Sequence, residues 1–122
     1  VAGTPGAEEP PELLAVSAPH DLIVVKTRWS AFFATDLDLL LRRSAVHNLV
    51  LTGVQTPNCI RATACDALSL DYATTVLSDA TASQSDDIQQ ANIRDMTAMG
   101  ITVMTAAAWK SSLGAPGRAE LQ

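Results

Sequence analysis

The segment GVQTPNCIRATACDA, residues 53–67, places Cys59 directly after chain-breaking Gly53 and Pro57. The residues that follow read as a helix, so Cys59 falls in its first turn. Unpaired backbone N–H groups and the helix dipole favour an anion there. On sulfur that anion is the thiolate, the reactive form. The same N–H groups can hold an oxyanion that develops on a carbonyl under attack. Lys26 ends an upstream aliphatic run and brings a second positive charge. A thiolate, a cation and backbone donors together imply acyl transfer through a thioester. Spacing alone leaves another reading open, in which Cys59 is a small apolar side chain in a helix. Cys65, two turns in, is read as core packing.

These residues need elements that bring them together. Leu22-Ile23-Val24-Val25 is a short aliphatic run without alternation, the pattern of a strand buried on both faces. Thr35 is placed to cap a helix over Asp36 to Ala45, with acidic residues first and Arg42 and Arg43 last, as the dipole favours. Leu49-Val50-Leu51 reads as a second strand and Asn58 to Leu70 as a helix. Thr74 to Leu77 is a third strand, with Asp79 opening a loop. Ser85 caps a helix over Asp86 to Met99, in which Ile88, Ile93, Met96 and Met99 share one apolar face. Gly100 ends it, and Ile101 to Met104 is a fourth strand. A short helix over Glu8 to Leu14 lies in a loop-rich lead-in, residues 1–20, and residues 110–122 read as a flexible tail. Alternating strand and helix predict an α/β fold: three layers, α/β/α, around a mainly parallel sheet, in a single domain over residues 1–122. Sites in such sheets form at the carboxyl ends of the strands, which draws Lys26, the Gly53–Cys59 loop and Asp79 to one edge.

The 122-residue chain is 48% hydrophobic with a formal net charge of −5, which suits a packed core and argues against nucleic acid as a partner. No apolar run is long enough for a transmembrane helix, and no membrane partner is expected. Two cysteines at this spacing suggest neither a disulfide framework nor a zinc site, and a cytoplasmic, reducing setting follows.

Taken together, VVKTRWSAFFATDLD, LVLTGVQTPNCIRATACDAL and VLSDATAS resemble the isochorismatase-like cysteine hydrolases, which include the nicotinamidases. The resemblance rests on Lys26, Ser30, Ala31 and Phe32, and on Cys59, Ile60, Thr63, Ala64, Asp66 and Ala67. It is nearest to a plant-type nicotinamidase-like branch with a similar GVQTPNC loop. The resemblance implies a Rossmann-like sheet and an Asp-Lys-Cys triad, with Lys26 and Cys59 matching two members. It further implies a cis peptide between Val54 and Gln55, an oxyanion hole from the N–H groups of Gln55 and Cys59, and a flat substrate pocket walled by Trp29 and Phe32. The substrate it implies is a small molecule with an amide-type C–N bond, and family members commonly form homo-oligomers.

Two departures stand against the pattern. Pro57 occupies a place that is acidic in many members. The segments that carry the family's catalytic Asp and its metal-binding Asp-x-His element are not found, so the family's first strands, its general base and its metal are expected to be missing; no cofactor is expected. An impaired amidase is one expectation. The alternative is an inactive protein of the same fold that acts through assembly. His20 and His47 are read as loop residues, Asp66 as a helix anchor, Asp79 as a turn-closing residue, and Thr63 as a packing and hydrogen-bonding residue.

Overall fold

The computed structural model describes residues 11–14 and 18–114. Its elements run α1 Pro11–Leu14, α2 Leu37–Arg43, β1 Asn48–Val54, a π-type turn Thr56–Ile60, α3 Arg61–Ser69, β2 Ala73–Ala82, α4 Asp86–Ala98, β3 Thr102–Met104 and α5 Ala106–Leu113. The three strands form one parallel sheet in the order β1-β2-β3. Parallel neighbours need crossovers; the Thr56–Ile60 turn with α3 supplies the first and α4 the second.

Among the described residues the sheet has three strands where the sequence suggested four. Residues 21–26 pair with no strand, and Leu22, Ile23 and Val25 are 64%, 83% and 82% exposed. A β-branched run becomes a strand only where its N–H and C=O groups meet a ladder, and this segment meets none. Most of the lead-in, with the expected helix residues Glu8 to Pro10, lies outside the described residues, as does the tail beyond residue 114.

The core forms on one face of the sheet. Register aligns Leu51 with Val76 and Val76 with Val103. Val76 is buried against Ile60 and Ala64 from the turn and α3, Met96 from α4, and Ile101, with Leu51 and Val103 packed around them. On the reverse face, Trp109 and Leu113 of α5 share a groove with Val50, Thr75 and Met104. α5 corrects the reading of the chain after Trp109 as frayed: Thr105 caps it by accepting from the Ala108 N–H at 3.2 Å, and the Asp79 carboxylate accepts from the Ala106 N–H at 2.8 Å. Asp79 lies in β2 rather than in a loop, and its carboxylate serves the start of α5 rather than a turn of its own.

Two further elements differ from the sequence reading in detail. α4 buries Met96 and Gln89, while Ile88 and Met99 stay 37% and 38% exposed. Gln89 is buried because its amide is used: it donates to the Thr81 carbonyl and hydroxyl and to the Ser78 carbonyl, and accepts from Ser83. Thr35 stands one residue before the N-cap of α2, which is Asp36. Its hydroxyl accepts from the Leu37 N–H at 3.3 Å and donates to the Ala31 carbonyl at 2.5 Å.

Candidate active site

The carboxyl end of β1 sets the position of Cys59. Gly53 has φ +113°, a region that L side chains rarely adopt, and the ladder to β2 shifts register there. A Cβ on Gly53 would meet Ile60 at an ordinary 3.7 Å, so backbone conformation rather than crowding calls for glycine. The Val54–Gln55 peptide is cis. The Gln55 carbonyl then accepts the N–H groups of Asn58 at 3.1 Å and Ile60 at 3.3 Å, which closes the π-type turn. Cys59 lies in that turn, half-buried, and the chain continues without a break into α3.

Lys26 comes from outside the sheet. Its Nζ donates to Cys59 Sγ at 3.5 Å and to the Arg28 carbonyl at 2.9 Å. The two residues first read as chemical are therefore in contact, although the segment bearing Lys26 is not a strand. Thr63, one turn beyond Cys59, is buried and accepts the Ala31 N–H at 3.0 Å. Lys26 also lines a cleft of about 710 Å³, together with Arg28, Trp29, Phe33, Ala62 and Asp66, whereas Cys59 and Gln55 are not among its lining residues.

The two expected wall residues part company. Trp29 lines the cleft and is 64% exposed. Phe32 is not among the lining residues; its ring stacks on Tyr72 with centroids 5.8 Å apart, and Phe33 faces the cleft instead. In an irregular loop, no period distinguishes two adjacent phenylalanines, and Tyr72 is too distant in sequence to signal the stack. Arg28 and Asp66 were missed as lining residues; their position beside Lys26 and one α3 turn after Ala62 was the available signal. Cys65 is half-buried rather than fully in the core, while His20 and His47 are exposed.

Charge near the loop is organised by a second cluster. Asp38 accepts from Arg42 at 3.0 Å and from the Tyr72 hydroxyl at 2.8 Å, and Arg42 lies over the Tyr72 ring. The Arg42 and Tyr72 hydrogen bonds hold the Asp38 carboxyl below its usual range. Burial, followed by the bond to Asp38, pushes the Tyr72 phenol up. Among the described residues no group of three His, Cys, Asp or Glu side chains is placed to hold a metal ion. No described helix is long and apolar enough to cross a membrane.

An α/β sheet with a cysteine at the strand-to-helix turn and a lysine against it defines a class, and comparison with known proteins identifies it. The isochorismatase domain family matches residues 1–108, and the chain belongs to that family. It is 46% identical over 114 residues to a "probable inactive nicotinamidase" of Arabidopsis thaliana, covering 93% of this chain and 58% of the relative. It is 38% identical over 102 residues to the ureidoacrylate amidohydrolase RutB of Caulobacter vibrioides, covering 81% of this chain and 45% of that protein. The crystal structure of an isochorismatase family protein from Desulfovibrio vulgaris superposes with a TM-score of 0.87 at 46% identity, covering 94% of this chain and 60% of that one. The chain thus spans about half the length of the curated relatives it matches.

Proposed function

We propose that this chain carries the nucleophile half of a cysteine hydrolase acting on a small amide-type C–N bond. The observation that carries the reading is the 3.5 Å contact between Lys26 Nζ and Cys59 Sγ, with Lys26 itself lining an open cleft that holds Trp29 and Phe33. In this reading Cys59 attacks the amide carbonyl as the thiolate. The N–H groups of Gln55 and Cys59 stabilise the oxyanion, and the C–N bond breaks as nitrogen takes a proton, for which Lys26 is the nearest charged donor to the sulfur. Water then hydrolyses the thioester, so that amide and water become acid and amine. Trp29, with Phe33 in the place expected of Phe32, forms an apolar wall for a flat acyl group. A reducing, cytoplasmic setting suits a free thiol nucleophile.

Among the described residues no carboxylate hydrogen-bonds to Cys59 or Lys26. Loss of a general base lowers rates by about 10²–10⁴, so acylation is expected to be slow. The test is mass spectrometry of the chain after incubation with activated esters and small amides. A covalent acyl adduct on Cys59, absent in Cys59→Ala, supports the reading; adducts elsewhere, or none even with an activated ester, contradict it.

A second reading has its own support: the aliphatic Leu22–Val25 segment and the edge strand β1 are open, and one relative bears the word inactive in its name. In that reading the chain acts through homo-oligomeric assembly rather than turnover. Sedimentation velocity across a concentration series separates the two, since assembly must appear at concentrations where no acyl adduct forms.

A further inference from the structure

Lys26 lies on a segment that no ladder fixes, yet its ammonium meets Cys59. Residues 27–36 are also irregular. Something other than the sheet must hold them, and the hydrogen bonds identify it. The Ala31 N–H donates to Thr63 Oγ1 at 3.0 Å, and the Ala31 carbonyl accepts from Thr35 Oγ1 at 2.5 Å. Thr63 is 8% exposed and lies on α3 one turn beyond Cys59. Ser30, next to Ala31, is 7% exposed and accepts the Phe32 N–H through its hydroxyl at 3.2 Å. Phe32 in turn stacks on Tyr72. The loop therefore has both backbone groups of one residue tied by threonine side chains, and one of those threonines belongs to the helix that presents the cysteine.

We infer that Thr63 is a positioning residue: through its bond to the Ala31 N–H it locks the Lys26 loop to the Cys59 helix and so sets the ammonium–sulfur contact. The inference deepens the proposed function and rests on it for its catalytic meaning, but the tether itself can be read without turnover. The Thr63 side of this bond is buried and the Ala31 side half-buried, and an N–H there that loses its acceptor is costly, so removal of the Thr63 hydroxyl should release the loop rather than leave it in place unbonded. The Thr63→Val change keeps the shape and removes the acceptor; Thr63→Ser keeps the acceptor.

The experiment uses o-phthalaldehyde, which joins an amine and a thiol into a fluorescent isoindole only when the two lie within bonding reach. The wild-type chain is expected to form the isoindole between Lys26 and Cys59, and Lys26→Met to lose it. Thr63→Val should slow its formation roughly tenfold, the order expected when a half-buried N–H loses its acceptor, and Thr63→Ser should restore it. If Thr63→Val unfolds the chain, Thr35→Val frees the Ala31 carbonyl and is expected to slow the same reaction. An isoindole rate unchanged in folded Thr63→Val overturns the inference, as does a loss that serine fails to rescue. A wild-type chain in which Cys59 alkylates no faster than Cys65, while the isoindole forms and Thr63→Val slows it, overturns the nucleophile reading and leaves the tether standing.

Discussion

Thr56, three residues before Cys59, is fully buried, and its hydroxyl has no hydrogen-bond partner among the described residues. A buried orphan hydroxyl destabilises by about 1–3 kcal/mol relative to a satisfied one, whereas an apolar group of the same shape avoids the penalty. Thr56→Val is therefore expected to leave stability unchanged or raise it by about 1 kcal/mol, read as the midpoint of urea unfolding. A loss of more than about 1 kcal/mol would mean that the hydroxyl has a partner in solution. The residue scale also marks how far sequence reasoning reached. The position of Cys59 was legible because Gly53 ahead of the turn and Pro57 within it mark the end of β1. Lys26 was legible as the end of an aliphatic run, even though that run forms no strand. Phe32 and Phe33 were not separable, because which ring faces the cleft depends on Tyr72, a contact across forty residues that leaves no local trace.

At the scale of elements, α2 is attached to the rest of the fold by polar contacts. None of its residues is buried, and what holds it is the Asp38–Tyr72–Arg42 cluster together with the bond from Arg42 to the Leu70 carbonyl at 3.1 Å. The Asp38 carboxyl is held below its ordinary value of 3.8, first by Arg42 and then by Tyr72. A carboxyl depressed in the folded state contributes stability that is present above the unfolded value and is lost as pH falls through the folded one. Stability should therefore fall on acidification below about pH 4, and Asp38→Asn should flatten that part of the profile. Tyr72, raised above 10.0 chiefly by burial, carries the opposite sign: its contribution is present below pH 10 and is lost as pH rises beyond it. Urea midpoints from pH 2.5 to 11 for wild type and Asp38→Asn check both arms, and an unchanged acid limb in the variant would count against the cluster. Helices with clear caps were readable: Ser85 and Gly100 bound α4 within a residue of the expected limits. α5 was not, because its Ala-rich run has no strong apolar period. Its stability comes from Thr105 and from the distant Asp79 carboxylate.

For the whole molecule, the alternation of buried-type runs and helices was enough to define a parallel α/β sheet. The number of strands was not, because pairing is a property of neighbours rather than of a segment. The result is an uneven surface. The face bearing Leu51, Val76 and Val103 is closed by α3 and α4, while Ile23 and Val25 remain more than four-fifths exposed and β1 is an edge strand. Exposed β-branched segments and open sheet edges each favour association. The chain is expected to show concentration-dependent sedimentation, and Ile23→Lys with Val25→Lys is expected to reduce it without loss of the far-ultraviolet circular dichroism signal. Monomeric behaviour of the unmodified chain at all concentrations would contradict this.

The central claim concerns the sulfur at residue 59 and the ammonium beside it, and competitive alkylation tests it most directly. Iodoacetamide at pH 7, followed by peptide mapping, gives the labelling rates of Cys59 and Cys65 in the same molecule, which share half-buried settings. The account predicts that Cys59 reacts at least about tenfold faster, as expected of a thiol beside a cation at a helix start, and that Lys26→Met removes most of the difference. Equal rates at the two cysteines in the wild-type chain, or a Cys59 rate indifferent to Lys26→Met, would contradict it.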